Sequence, residues 1–337
     1  MRSGSPLNVE YALLETLLAG TPQDHARVLG AAAFAPARPV LATGDLPLAW
    51  VATPPLGAAA AVCEVWRAHG PVVTGRSGLV HYRTDGEVVF GCAAADGTAA
   101  LARATEDIYA AVFACLAELD CPHILRIWNY LPEINRELGG IERYRSFNAA
   151  RQSAFQASRR ATRGSVPAAC ALGSAAGSEL VVYFLAARAA ATPIENPRQV
   201  PAYDYPADYG ARSPTFSRAA LAGGDGAALL FVSGTASIVG HRTQHPGDVR
   251  AQTRETVRNL EALVAQANRA AGRAAFAAHE LRYKAYLRNA ADLEVVAAEV
   301  DAALRPGRPV LYLLADICRS DLLVEIEAVG SSGTPGH

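Results

Sequence analysis

Lysine is almost missing from this chain. Lys284 stands alone, and arginine supplies the rest of the 31 Lys and Arg residues. This excess of Arg reflects base composition rather than a binding face. Against 32 acidic residues the formal net charge is −1, which excludes a general attraction to nucleic acid or to an anionic membrane. Six cysteines occur, at 63, 92, 115, 121, 170 and 318, but no pair has the CxxC spacing of a metal or redox site. His241 and His245 lie four apart, yet Gly240, Pro246 and Gly247 make their segment a loop, so no metal site is expected. There is no run of about 18 apolar residues, so no membrane span is expected. The opening residues lack a signal-like pattern. Together these absences predict a cytoplasmic protein with reduced thiols.

What is present is ample apolar material. Of 337 residues 51% are hydrophobic, enough for about two domains with large cores. The stretch 310–330 reads as two buried strands with a polar turn between them. In its second half Val324 and Ile326 share one strand face and Glu325 and Glu327 the other. Two carboxylates on so apolar a strand are costly unless they are paired, hydrated or used. The ordinary alternative is a sheet with one wet face.

Taken in order, the first 75 or so residues are the hardest to read. A helix is expected over 9–18, followed by short strand-like pieces punctuated by Pro36, Pro39, Pro47, Pro54 and Pro55. From Gly78 the pattern becomes regular. Alternating runs on either side of Asp85-Gly86 predict a hairpin. Apolar positions at helical spacing predict a helix over 98–119, then a strand ending at Pro132, a helix over 144–158 and a strand pair. The second half repeats this order, with a strand at 228–240, a helix at 248–267, a strand near 282, a helix at 293–304 and a closing strand pair. Phe90 falls on Phe231 and 178–182 falls on 320–324, so two copies of one unit lie about 140 residues apart. Each reads β-β-α-β-α-β-β, an α+β fold of mixed sheets with helices on one face. The expected division is 1–190, an interdomain loop at 191–226, and 227–337. The loop, rich in Pro, Tyr and Arg, is long enough to cover a site.

The second copy resembles the Rid/YjgF family (chorismate mutase-like α+β units) through LLFVSGTAS, the 249–267 helix, LRYKAYLRNAADL and VEIEA. The imine hydrolysis that this resemblance implies uses an Arg at the position held here by Val310, which argues against a deaminase. The whole chain resembles the chorismatase (3-hydroxybenzoate synthase) family. The residues that carry the likeness are RIWNYLPEIN (126–135), ERYRSFNAARQSAF (142–155), IENPRQVPAYDYP (194–206), SPTFSRA (213–219), SGTAS (233–237) and DLLVEIEA (321–328). It implies cleavage of the enolpyruvyl ether of chorismate to pyruvate and 3-hydroxybenzoate, in secondary metabolism, without metal or organic cofactor. The alternatives are hydrolysis to a dihydroxycyclohexadiene carboxylate, release of 4-hydroxybenzoate, the imine deaminase, and a non-catalytic binder of aromatic acids.

Enol ether cleavage begins with protonation of the methylene carbon, which needs an acid still protonated near neutral pH. A Glu on a buried strand suits that role. The resemblance places it at Glu325, and the first copy carries Tyr183 there, so one competent site is expected. Glu327 shares the face and is a source of like-charge repulsion. The two substrate carboxylates call for cationic ends. Arg143, Arg145 and Arg151 cluster in one helix, while Arg198, Arg212 and Arg218 lie in the loop with Tyr203, Tyr205 and Tyr209. By resemblance Arg143, Arg151 and Arg218 contact carboxylates with Tyr203 supporting, and Cys318 helps to decide the product. Ser233, Gly234, Thr235 and Ala236 complete the expected substrate contacts, Gly234 by letting the backbone approach a ligand. Fusion of two units predicts a monomer.

Overall fold

A computed structural model describes residues 7–36, 38, 44–58, 60–223 and 227–332. The outer ends of the expected domains and Pro39 lie outside these residues. Three sheets share one core. The first contains β1 (Leu7–Leu13), β2 (Val28–Phe34), β3 (Leu48–Val51) and β4 (Val62–Ala68), in the order β1-β4-β2-β3. The expected helix over 9–18 is therefore only half right. Residues 7–13 pair in register with β4, Leu7 opposite Ala68, and a short helix, Leu14–Leu18, follows. Cross-strand pairing outweighs the local helical pattern there.

The second sheet holds β5 (Val73–Ser77), β6 (Val80–Thr84), β7 (Val88–Ala95), β8 (His123–Pro132), β9 (Ala168–Ser174) and β10 (Leu180–Ala187). Helices α1 (Leu101–Glu118) and α2 (Arg143–Ala157) cover one of its faces. The Asp85-Gly86 turn closes the β6–β7 hairpin: Asp85 Oδ1 accepts the backbone N–H groups of Glu87 and Val88, and Gly86 has φ 92°. The third sheet holds β11 (Thr192–Ile194), β12 (Ala219–Gly223), β13 (Ala228–Ala236), β14 (Arg282–Leu287), β15 (Leu311–Leu314) and β16 (Val324–Ser331). Its helices are α3 (Val249–Ala270) and α4 (Leu293–Leu304).

Strand order shows the duplication directly. The second sheet runs β9-β8-β10-β7-β6-β5 and the third β15-β14-β16-β13-β12-β11, each with one parallel pair at the β9 or β15 end. The register corrects one expectation: Phe90 pairs with Leu185 and Phe231 with Val329, so Tyr183, two residues before Leu185, matches Glu327 rather than Glu325. Two more expectations change. The stretch 191–226 is not loop throughout, because β11 and β12 at its ends are strands of the third sheet. The closing strands β15 and β16 are not a hairpin either, since β14 lies between them. A parallel partner for β14 must enter by a crossover, and α4 supplies it.

The four-stranded first sheet repeats the pattern in reduced form: β1-β4-β2-β3 matches β7-β10-β8-β9, again with a terminal parallel pair. Its side chains Phe34 and Trp66 meet Phe90, Trp128 and Tyr183 of the second sheet and Phe231 and Tyr286 of the third. Val324 and Ile326 face α3 and α4, while Glu325 and Glu327 turn toward the other sheets. The wet-face alternative fails: both carboxylates are buried. Among the described residues no helix is long and apolar enough to cross a membrane.

Candidate active site

A cavity of about 300 Å³ lies where the β9 edge of the second sheet meets β13 of the third, roofed by α2 and by the segment 205–218. Ser233 joins the two sides. Its Oγ donates to the Ser217 carbonyl (2.6 Å) and accepts the backbone N–H of Ala169 (2.9 Å). Just beyond it the pairing of β13 with β16 shifts register between Val232 and Thr235. This irregularity brings the Gly234 backbone against the side chain of Glu325. A Cβ at position 234 would stand 1.8 Å from Glu325 Oε1.

Glu325 is 4% exposed and lines the cavity. Burial, followed by the charge of Glu327, pushes its carboxyl up to about 8, while Arg126 and Arg218 pull the other way. The acid is therefore protonated at neutral pH. Cys318 lines the same cavity, and burial pushes its thiol up to about 12, with Glu325 adding to the effect, so it is a neutral thiol there.

Arg151 and Arg218 are in place. Arg151 Nε donates to Tyr109 Oη (2.7 Å), and its Nη2 is buried without a protein partner. The Tyr109 hydroxyl in turn donates to Asn129 Oδ1 (2.6 Å), which fixes the guanidinium from behind. Arg218 Nη2 donates to the Val200 carbonyl and to Tyr205 Oη, leaving Nε buried and unpaired. Such unmatched donors cost stability unless a ligand answers them. Gly234 and Ala236 also line the cavity.

Four expected contacts are not there. Arg143 is committed to structure: its three nitrogens donate to the carbonyls of Pro132, Thr98 and Gly97, tying α2 to the end of β8. Tyr203 sits against Glu195, away from the lining, and Tyr205 and Tyr209 of the same segment take the place expected for it. Ser233 is engaged in the junction already described, and Thr235 Oγ1 donates to the Ser233 carbonyl (2.8 Å). Of the other loop and helix cations, Arg198 pairs with Glu255 and Arg212 with Gln152, whereas Arg145 reaches the cavity.

Sequence reasoning missed Arg319. Its guanidinium lies 4.1 Å from the Tyr209 ring centroid and 5.2 Å from that of Tyr205, with Nη2 buried and unpaired. Its place directly after Cys318 was the available signal. Asn148 and Phe147, one helical turn before Arg151, and Tyr144, two turns before it, also face the cavity from α2. The whole presents one protonated acid, three guanidinium groups with free N–H donors, and an apolar floor, which suits a small dianion with a group to be protonated.

Known proteins share the sequence and fold of this chain. Residues 64–186 match the family model described as Chorismatase FkbO/Hyg5-like, N-terminal. A protein named 3-hydroxybenzoate synthase from Streptomyces hygroscopicus is 39% identical over 277 residues, covering 79% of this chain and 80% of its own. A chorismatase from Streptomyces rapamycinicus is 37% identical over 273 residues, covering 79% and 81%. A chorismatase crystal structure superposes with a TM-score of 0.88 at 31% identity, covering 97% of this chain and 98% of that one. The α+β fold and the enzyme class are thereby shared over nearly the full length, and the chain belongs to the chorismatase family of enzymes.

Proposed function

We propose that the protein cleaves chorismate to pyruvate and 3-hydroxybenzoate, with Glu325 as the general acid. The observation that carries this reading is the buried, protonated Glu325 in a cavity where three of the four lining arginines keep unpaired N–H donors. The carboxyl proton passes to the terminal methylene carbon of the enolpyruvyl group, which becomes a methyl. Positive charge then develops on the ether carbon beside the new Glu325 carboxylate, which stabilises it. The neighbouring ring hydroxyl attacks that carbon, and its proton passes to the original ether oxygen as the bond from that oxygen to the pyruvyl carbon breaks. The bond from the ring to the attacking oxygen then breaks to release pyruvate, and loss of a ring proton, returned to Glu325, leaves 3-hydroxybenzoate with no net water consumed. Attack by water at the same carbon gives the dihydroxycyclohexadiene carboxylate instead.

Arg151, Arg218 and Arg319 bind the two carboxylates, and Gly234 leaves room for Glu325. Cys318, a neutral thiol, fills the wall beside the acid and favours attack by the ring hydroxyl over attack by water. The monomer reading is supported by the first sheet, whose aromatic side chains cover the inner faces of the other two within one chain. Pyruvate formation from chorismate by the purified protein tests the function, and its absence ends this reading.

A further inference from the structure

Four charged side chains that do not line the cavity meet in the core between the three sheets. Glu64 on β4, Arg126 on β8, Lys284 on β14 and Glu327 on β16 are each 1–3% exposed. Lys284 Nζ lies 2.6 Å from Glu64 Oε2 and 2.9 Å from Glu327 Oε1. Arg126 Nη2 lies 2.6 Å from Glu327 Oε2. The indole N–H of Trp128 donates to Glu327 Oε1 (2.8 Å) and that of Trp66 to Glu64 Oε1 (2.9 Å). Tyr183 on β10 accepts from Lys284 (3.2 Å) and donates to Glu64 (3.4 Å).

Burying four charges is expensive, and a well-packed apolar core would serve stability as well or better. The arrangement is also specific. The chain's single lysine sits between two buried carboxylates. Two cations answer two anions, so the quartet as a whole carries no net charge, although Arg126 Nη1 stays unpaired and Arg126 still draws on Glu325. Glu325 is a third carboxyl group, two residues from Glu327 on the same face of β16.

We propose that this balanced quartet, together with burial, keeps the proton on Glu325: it brings no net positive charge to the buried acid, and its Glu327 carboxylate lies two residues away on the same strand face. Glu327 and Lys284 are positioning residues for that proton. The proposal rests on the reading of Glu325 as the acid. Around Glu325 the other charged and titratable groups include Arg126 on β8, Arg218 on the 213–218 segment, Cys170 on β9, Cys318 before β16 and Tyr144 on α2, with Arg145 and Arg151 on α2 and Arg319 before β16 lining the same cavity. Burial pushes both thiols and the phenol upward, so all three are neutral near pH 7. Against the desolvation of its own burial, Glu327 is held below the usual carboxylate range by Lys284 and Arg126. It is the anion of the quartet that acts on Glu325.

The test is the pH profile of pyruvate release from chorismate. Activity that depends on a protonated acid falls as pH rises through its pKa. Glu327→Gln leaves the quartet with a surplus positive charge and moves this alkaline limb down by about one pH unit. Glu64→Gln, which reaches Glu325 through Lys284, moves it the same way by less. The double variant Glu327→Gln/Lys284→Met restores neutrality and returns the limb to the wild-type position. Packing damage alone lowers the rate without this shift and return. A limb that stays put in Glu327→Gln, or that fails to return in the double variant, overturns the proposal. If Glu327→Gln does not fold, the Glu64→Gln limb decides. Infrared titration of the Glu325 carboxyl, read as the difference from Glu325→Gln, follows the same shifts without turnover. An inactive wild-type protein would therefore refute the proposed function, whereas the quartet stands or falls on the carboxyl titration.

Discussion

Glu325 and Gly234 are in contact so close that residue 234 has no space for a side chain: a Cβ there would stand 1.8 Å from Glu325 Oε1 and 2.7 Å from its Cδ. Gly234→Ala must therefore displace the acid. The expected outcome is a loss of about 100-fold in kcat, the usual cost of misplacing a reacting group by an ångström. Steady-state kinetics measures it, and a folded Gly234→Ala protein with undiminished kcat would remove Glu325 from the reacting position.

The titration of Glu325 makes a stability prediction with a definite sign. Its carboxyl is raised from 4.5 to about 8 on folding, so the folded state holds a proton that the unfolded chain releases. That contribution is complete below the unfolded value and is lost as pH rises through the folded one. Glu325→Gln cannot ionise, so its Tm gains on the wild type as pH is raised from about 5 to about 8, while turnover is abolished. Thermal unfolding across this range checks it. A gap that does not widen places an ionised carboxylate in the folded protein at neutral pH.

Arg151 and Arg143 share α2, eight residues apart, yet they should behave differently. Arg151→Met removes a charge-assisted contact to substrate worth about 2 kcal/mol, a rise of about 30-fold in KM. Arg143→Met instead leaves the carbonyls of Pro132, Thr98 and Gly97 without their donors, so it lowers Tm and leaves KM near the wild-type value. Equal KM effects for the two would restore Arg143 to the substrate.

The role proposed for Cys318 concerns the steps after protonation rather than protonation itself. Cys318→Ala keeps pyruvate release and lowers the share of 3-hydroxybenzoate, because the smaller side chain admits water beside the acid. Chromatography of the aromatic and diene products reads the ratio. An unchanged ratio would leave Cys318 as packing.

Much of this was legible in the chain. The alternation Val324-Glu325-Ile326-Glu327 assigned the faces of β16, and Asp85-Gly86 marked its hairpin, because both depend on neighbours in sequence. Residues 7–13 were misread because their strand state depends on β4, far along the chain. The arginines were the least legible. Arg143, Arg151 and Arg319 differ in what their N–H groups meet after folding, and no spacing rule records that. The partner of Glu327 was equally hidden, since Arg126 and Lys284 arrive from two different sheets.

The most direct test runs wild-type protein and Glu325→Gln in parallel with chorismate, resolving the products by chromatography. The account predicts equimolar pyruvate and 3-hydroxybenzoate from the wild type and neither from a folded Glu325→Gln protein. Pyruvate formed at comparable rates by both would contradict it.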